Sequence, residues 1–158
     1  DLLNKRISDI KLFLIGDGVL EESIHNKIKM SPYESKVIRI KRLPFERLKP
    51  LMNAAHVLVS PEKKNLLSDL ILHIKYYNYL TFNKPILCSG TQSVIDFNKD
   101  DCYSVTFEPN SIKDLADKMV SVYDNYEEMR EKYSSNANKI KDLSYENNTK
   151  VIDCLNDV

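Results

Sequence analysis

The sequence predicts an α/β fold: a single three-layer domain over residues 1–158, with a mostly parallel sheet flanked by helices. Three observations predict it. Short apolar runs alternate with stretches of helical period along the chain. Several of the runs are continuously apolar, as strands buried on both faces are. Turn residues follow them, at Gly16-Asp17-Gly18, Ser60-Pro61 and Ser89-Gly90. No internal repeat or low-complexity tract divides the chain.

The elements follow in order. "IKLFLIGDG" (10–18) is a buried strand running into a tight turn. "VLEESIHNKIKM" (19–30) places Leu20, Ile24 and Ile28 four apart, a helical face. "SKVIRIKRL" (35–43) is a strand. "PFERLKPLMNAA" (44–55) is a helix opened by Pro44, with Leu48, Leu51 and Met52 on one side and Pro50 inside. "HVLVSP" (56–61) is a third strand. "EKKNLL" (62–67) is a solvated loop, and a tyrosine-rich helix then starts at Ser68-Asp69, which suit the cap. "PILCSG" (85–90) is a fourth strand, "TQSVIDF" (91–97) a short helix or turn, and "CYSVTFEP" (102–109) a fifth strand. "NSIKDLADKMVSVYDN" (110–125) is a helix capped by Asn110 or Ser111, with Ile112, Leu115, Met119 and Val120 on its apolar side. Two more helices are expected at 126–143 and 145–157.

Composition narrows the function. Lys plus Arg equals Asp plus Glu at 23 each, so the formal net charge is zero, which argues against a nucleic-acid domain. No apolar run reaches the ~18 residues of a membrane span. The polar start "DLLNKRISDIK" is not a signal peptide. Cys88, Cys102 and Cys154 have no CxxC spacing and read as buried reduced thiols, which points to the cytoplasm. His25, His56 and His73 have no metal-ligand spacing, so no metal is expected.

Parallel sheets take ligands outside the carboxyl ends of their strands, and the candidate residues fall there. Gly16 and Gly18 suit either close ligand approach or merely a tight turn. Ser68 and Asp69 suit either an anion at a helix start or simple capping. Lys75 and Asn78, three apart, share a helix face. They suit either phosphate and sugar hydroxyls or a solvated surface. Ser89-Gly90-Thr91 suits a sugar contact or an ordinary turn. Tyr76, Tyr77 and Tyr79 read as packing residues with polar tips. No nucleophile with a partnered base is legible, so chemistry at this site would rest on binding and electrostatic positioning.

The ordered set "KLFLIGDGVLEESI", "VIRIKRLPFERLKPLMNAAHVLVSP", "KYYNYLTFNKPILCSG" and "CYSVTFEPNSIKDLADKMVSVYDN" resembles the carboxyl-terminal half of a GT-B glycosyltransferase of the retaining group 1 family. The likeness runs over roughly residues 10 to 125. It implies a Rossmann-like nucleotide-sugar-binding domain, part of a larger two-domain enzyme whose amino-terminal half binds the acceptor. The implied activity is transfer of a sugar, of the hexosyl class, from a nucleotide diphosphate to a glycan, lipid-linked or small acceptor. No cofactor or metal is implied. Location would be cytoplasmic, at most peripheral to the inner membrane face. The resemblance puts Gly16 and Gly18 near the donor, and Ser68, Asp69 and Leu70 at a helix start facing diphosphate and sugar. Lys75 matches the family's Lys, and Asn78 the Glu that binds the ribose hydroxyls. The chain departs from the pattern at several points. Asn78 lacks the charge of that Glu. Leu70 stands where many relatives have an acid, with Asp69 beside it. Asn83 replaces a glycine but tolerates the left-handed conformation.

Rival readings remain. A non-catalytic binding or scaffold domain of the same fold is favoured by Asn78. Half of a sugar-nucleotide epimerase would need acid/base residues not legible here. A phosphoacceptor receiver domain would need an aspartate that "VLVSP" lacks.

Overall fold

The computed structural model describes residues 3, 6–99 and 101–139. The expected helix at 145–157, the end of the one at 126–143, and Cys154 lie outside the described residues. The chain divides into two compact units, residues 1–54 and 55–158. Each is described by itself.

In the first unit, β1 (Leu12–Ile15) pairs in parallel with β2 (Val37–Ile40), Leu12 opposite Val37 and Ile15 opposite Ile40. The Gly16 N–H extends the ladder to Ile40 O at 3.0 Å. Gly16 then turns the chain with φ 144°, a region closed to residues bearing a Cβ. Helix α1 (Glu21–Lys29) follows and buries none of its residues, and Leu20 before it is also exposed. The 3.6-residue pattern is therefore present without full burial. Helix α2 (Phe45–Ala54) opens after Pro44 and contains Pro50, with Met52 buried. β2 is only partly covered. Ile38 is exposed, while Arg39 is half-buried and pairs with Glu21 at 2.7 Å.

In the second unit, β3 (Leu58–Ser60), β4 (Ile86–Ser89) and β5 (Val105–Phe107) form a parallel sheet in the order β3-β4-β5. Leu58 faces Ile86, and Ser89 faces Phe107. All four residues of β4 are buried, which explains its unbroken apolar run. Successive residues of a strand point to opposite faces. Leu87 packs with Phe107 and Val122, against Leu115 and Met119 of α6 (Ile112–Asp124). Its neighbour Cys88 faces the other way, towards Tyr76 and Val94. That side carries α4 (Ile74–Leu80) and α5 (Gln92–Phe97). The unit is thus helix on sheet on helix.

Local chemistry explains the joins. Ser111, rather than Asn110, caps α6 by accepting from the Asp114 N–H, and Asn110 takes φ 66° before it. Asn83 takes φ 52°, a left-handed conformation that asparagine tolerates. Helix α7 (Tyr126–Tyr133) follows α6, and residues 136–139 are again helical.

Two expectations need correction. The tyrosine-rich helix does not begin at Ser68. Helix α3 (Leu66–Leu70) comes first, and the chain then extends at Ile71 (φ −121°, ψ 122°) before α4 starts behind its cap residue His73. The cap of α3 is Asn65, and Ser68 is its reciprocal partner three residues on. Cys102 is exposed instead of buried. The residue that enters the interior there is Tyr103, at 4% exposure.

Candidate functional site

The carboxyl ends of β3 and β4 define one rim of the second unit. Glu62, two residues past β3, donates its N–H to Ser89 Oγ at the end of β4 (2.7 Å). This bond ties the loop after β3 across to the neighbouring strand. The Glu62 carboxylate meets His73 Nε2 at 3.1 Å. So the residue that opens α4 is held to the residue that leaves β3. Ser60, Glu62, Leu72, His73, Tyr76, Cys88, Ser89 and Val94 enclose a cavity of about 10 Å³ there, room for one water.

Below the rim lies a closed polar ring. Tyr76 donates its phenol proton to Asn98 Oδ1 (3.1 Å), Asn98 Nδ2 donates to Ser104 Oγ (3.0 Å), and Ser104 closes the ring with Tyr76 at 2.8 Å. Burial pushes the Tyr76 phenol and the Cys88 thiol well above their ordinary ranges, so both stay neutral. Phe97 receives the edges of Tyr76 and Tyr77, with ring centres 5.7 and 5.6 Å away. The tyrosines of α4 are packing residues, and Tyr76 spends its hydroxyl inside on the ring of Asn98 and Ser104.

The seven candidate positions divide as follows. Gly16 and Gly18 belong to the first unit, and a Cβ at either would meet nothing within 4 Å. Their turn is open to solvent. The other five belong to the second unit. Ser68 is 2% exposed, and its side chain is fully engaged in the fold. Its Oγ accepts from the Asn65 N–H (2.9 Å) and donates to Lys63 O (2.9 Å), and its own N–H goes to Asn65 Oδ1 (3.0 Å). Asp69 accepts the Gln92 N–H at 2.8 Å and so secures the start of α5. Leu70 is exposed. Lys75 is exposed and Asn78 half-buried on α4, one turn apart. Among the described residues neither side chain has a hydrogen-bond or ion-pair partner. Ser89, Gly90 and Thr91 serve the fold. Gly90 donates to Phe107 O at 2.8 Å, and a Cβ on it would stand 3.3 Å from that oxygen.

Sequence reasoning missed Glu62 and His73. Glu62 reads as part of a charged loop, and nothing in the spacing joins it to a histidine eleven residues on. No group of His, Cys, Asp and Glu among the described residues could hold a metal ion.

A parallel sheet flanked by helices on both sides, with polar groups gathered at the strand ends, is the architecture of a GT-B glycosyltransferase half, and solved structures share it. HepE (Alr3699) of Anabaena in complex with UDP superposes with a TM-score of 0.72 at 15% identity, covering 100% of this chain and 44% of that one. The same protein with UDP-glucose gives 0.71 at 13% identity, covering 99% and 44%. With UDP and glucose it gives 0.69 at 15% identity, covering 100% and 43%. The chain therefore spans less than half the length of these proteins. The family described as glycosyl transferases group 1 matches residues 1–140, and the chain belongs to it. No curated protein matches the chain.

Proposed function

We propose that this chain is the donor-binding part of a retaining glycosyltransferase that moves a hexosyl group from a nucleoside diphosphate to a glycan, lipid-linked or small acceptor. The observation that carries the reading is the Lys75–Asn78 face of α4. Two polar side chains stand one turn apart without partners, on a helix whose start is pinned to the strand ends. In this reading Lys75 offsets diphosphate charge and Asn78 meets ribose hydroxyls. The open Gly16–Gly18 turn admits close backbone approach. Ser68 and Asp69 act through the scaffold of α3 and α5, and Leu70 offers an apolar contact. Family membership and the likeness to a fold solved with UDP support it.

The chemistry left to such a site is positioning of the donor and stabilisation of the departing diphosphate by fixed positive charge. Neither step requires a cation. In this reading an acceptor-binding part outside the present chain completes the cleft. Release of nucleoside diphosphate by the full-length protein, with and without EDTA, tests the proposal. Turnover unaffected by the chelator fits it, and turnover that only added magnesium restores contradicts the metal-free mechanism.

Asn78 favours a second reading, a non-catalytic domain of the same fold. A neutral amide meets two hydroxyls more weakly than a carboxylate does. The two readings part over whether the full-length protein binds any sugar nucleotide at all.

A further inference from the structure

Helix α3 wears its pattern inside out. Its hydroxyl residue Ser68 is buried, while Leu66 and Leu70 are 78% and 72% exposed and Leu67 is exposed beside them. The exposed apolar run continues past the end of α3 through Ile71 to Ile74, 76% exposed at the start of α4. Away from α3 and α4, the exposed large apolar residues described in the second unit are Ile95, Ile112 and Tyr123, which stand singly. Single exposed residues are ordinary on a protein surface, whereas a run of them marks a place that something covers. The run is also held firmly. The Asn65–Ser68 capping box fixes the start of α3, and Asp69 ties it to the Gln92 N–H at 2.8 Å.

The free charges around the run have one sign. Lys63 and Lys64 precede it and Lys75 follows it, all three exposed. The neighbouring acids are engaged, Glu62 with His73 at 3.1 Å and Asp69 with Gln92. Residue type then says what the covering surface is. Protein interfaces concentrate their energy in aromatic residues and arginine and are poor in lysine. This run is leucine and isoleucine between lysines, the composition of a segment that lies in a lipid headgroup layer. There the aliphatic side chains enter the acyl boundary, and the lysine stems reach back to anionic headgroups.

We propose that residues 63–75 dock this domain onto an anionic membrane surface. The inference goes beyond the donor-binding reading and does not depend on it. Because α3 follows the carboxyl end of β3, docking sets that rim of the sheet against the headgroups.

The test is sedimentation of the full-length protein with vesicles of phosphatidylcholine alone and of phosphatidylcholine mixed with phosphatidylglycerol. Leu70 and Lys75 are kept in every variant, since the reading above gives them to the donor. The wild type is expected to sediment with the mixed vesicles and hardly at all with the neutral ones. The triple variant Leu66→Ser, Leu67→Ser, Ile74→Ser is expected to partition about a hundredfold more weakly. The double variant Lys63→Gln, Lys64→Gln is expected to lose about fivefold per lysine on the mixed vesicles. Both variants should keep the wild-type melting temperature and oligomeric state. A wild type that ignores both vesicles, or binds them equally, overturns the inference, as does a double variant that partitions like the wild type. A triple variant that still binds vesicles but splits a dimer makes the run a contact with a second copy. One that still binds vesicles but melts well below the wild type makes it a contact within the full-length protein. Either result also overturns the inference, and all of them leave the donor reading untouched.

Discussion

Asn78 concentrates the question of activity in one side chain. Its amide is unpartnered on α4. Asn78→Ala should weaken nucleoside-diphosphate binding about tenfold if it holds one ribose hydroxyl. Asn78→Glu should strengthen binding, since an ionised acceptor makes bonds about twice as strong. Titration of the three proteins side by side checks both. Ser68 behaves differently, because its hydroxyl belongs to the fold. Ser68→Ala leaves the buried side of the α3 cap without its reciprocal bond and should cost about 1–2 kcal/mol, read from urea unfolding. Its nucleotide affinity should stay close to that of the wild type.

Among the elements, β4 and the turn before it carry the most testable energetics. Leu87 has no exposure and sits between Phe107 and Val122, so Leu87→Ala should cost about 2–5 kcal/mol. Asn83 holds φ 52° and also accepts the Ala137 N–H at 2.8 Å. Asn83→Gly loses only the bond, whereas Asn83→Ala loses the bond and adds roughly 1–2 kcal/mol of left-handed strain. The alanine variant should therefore be the less stable of the two in denaturant melts. These were the places where the sequence was easiest to read. A continuous apolar run such as "PILC" has one comfortable home, and Asn83 is a residue type that tolerates the left-handed turn. The break between α3 and α4 was not legible. Nothing in "LILHI" forbids a helix, and the chain extends at Ile71 because Glu62 and Ser89 fix where His73 must stand. That is a tertiary constraint, invisible to local spacing. The same contact explains why Ser68 and Asp69, expected to open the tyrosine-rich helix, belong to α3 instead. The shared face of Lys75 and Asn78 is legible from their one-turn spacing, while the Glu62–His73 pair is joined only through folding.

The whole molecule should respond to alkali in one direction. Burial raises the Cys88 thiol and the Tyr76, Tyr79 and Tyr133 phenols in the folded state. These groups bind their protons more tightly folded than unfolded. Their contribution is fully present below the unfolded thiol value of about 8.5, and it is lost as pH rises through the alkaline range. Melting temperature should thus be flat with pH up to that point, as far as these groups go, and fall beyond it. Cys102, exposed, should react with a thiol reagent in the native protein while Cys88 is protected. At the same scale, no described helix is long and apolar enough to cross a membrane, and the chain spans 44% of the HepE length it matches. The central claim is therefore about a ligand, and it is tested most directly by calorimetric titration of the full-length protein with UDP, GDP and ADP. The account predicts saturable binding of one of them, weakened about tenfold by Asn78→Ala. Absence of binding to all three, or binding that Asn78→Ala and Lys75→Ala leave unchanged, would contradict it.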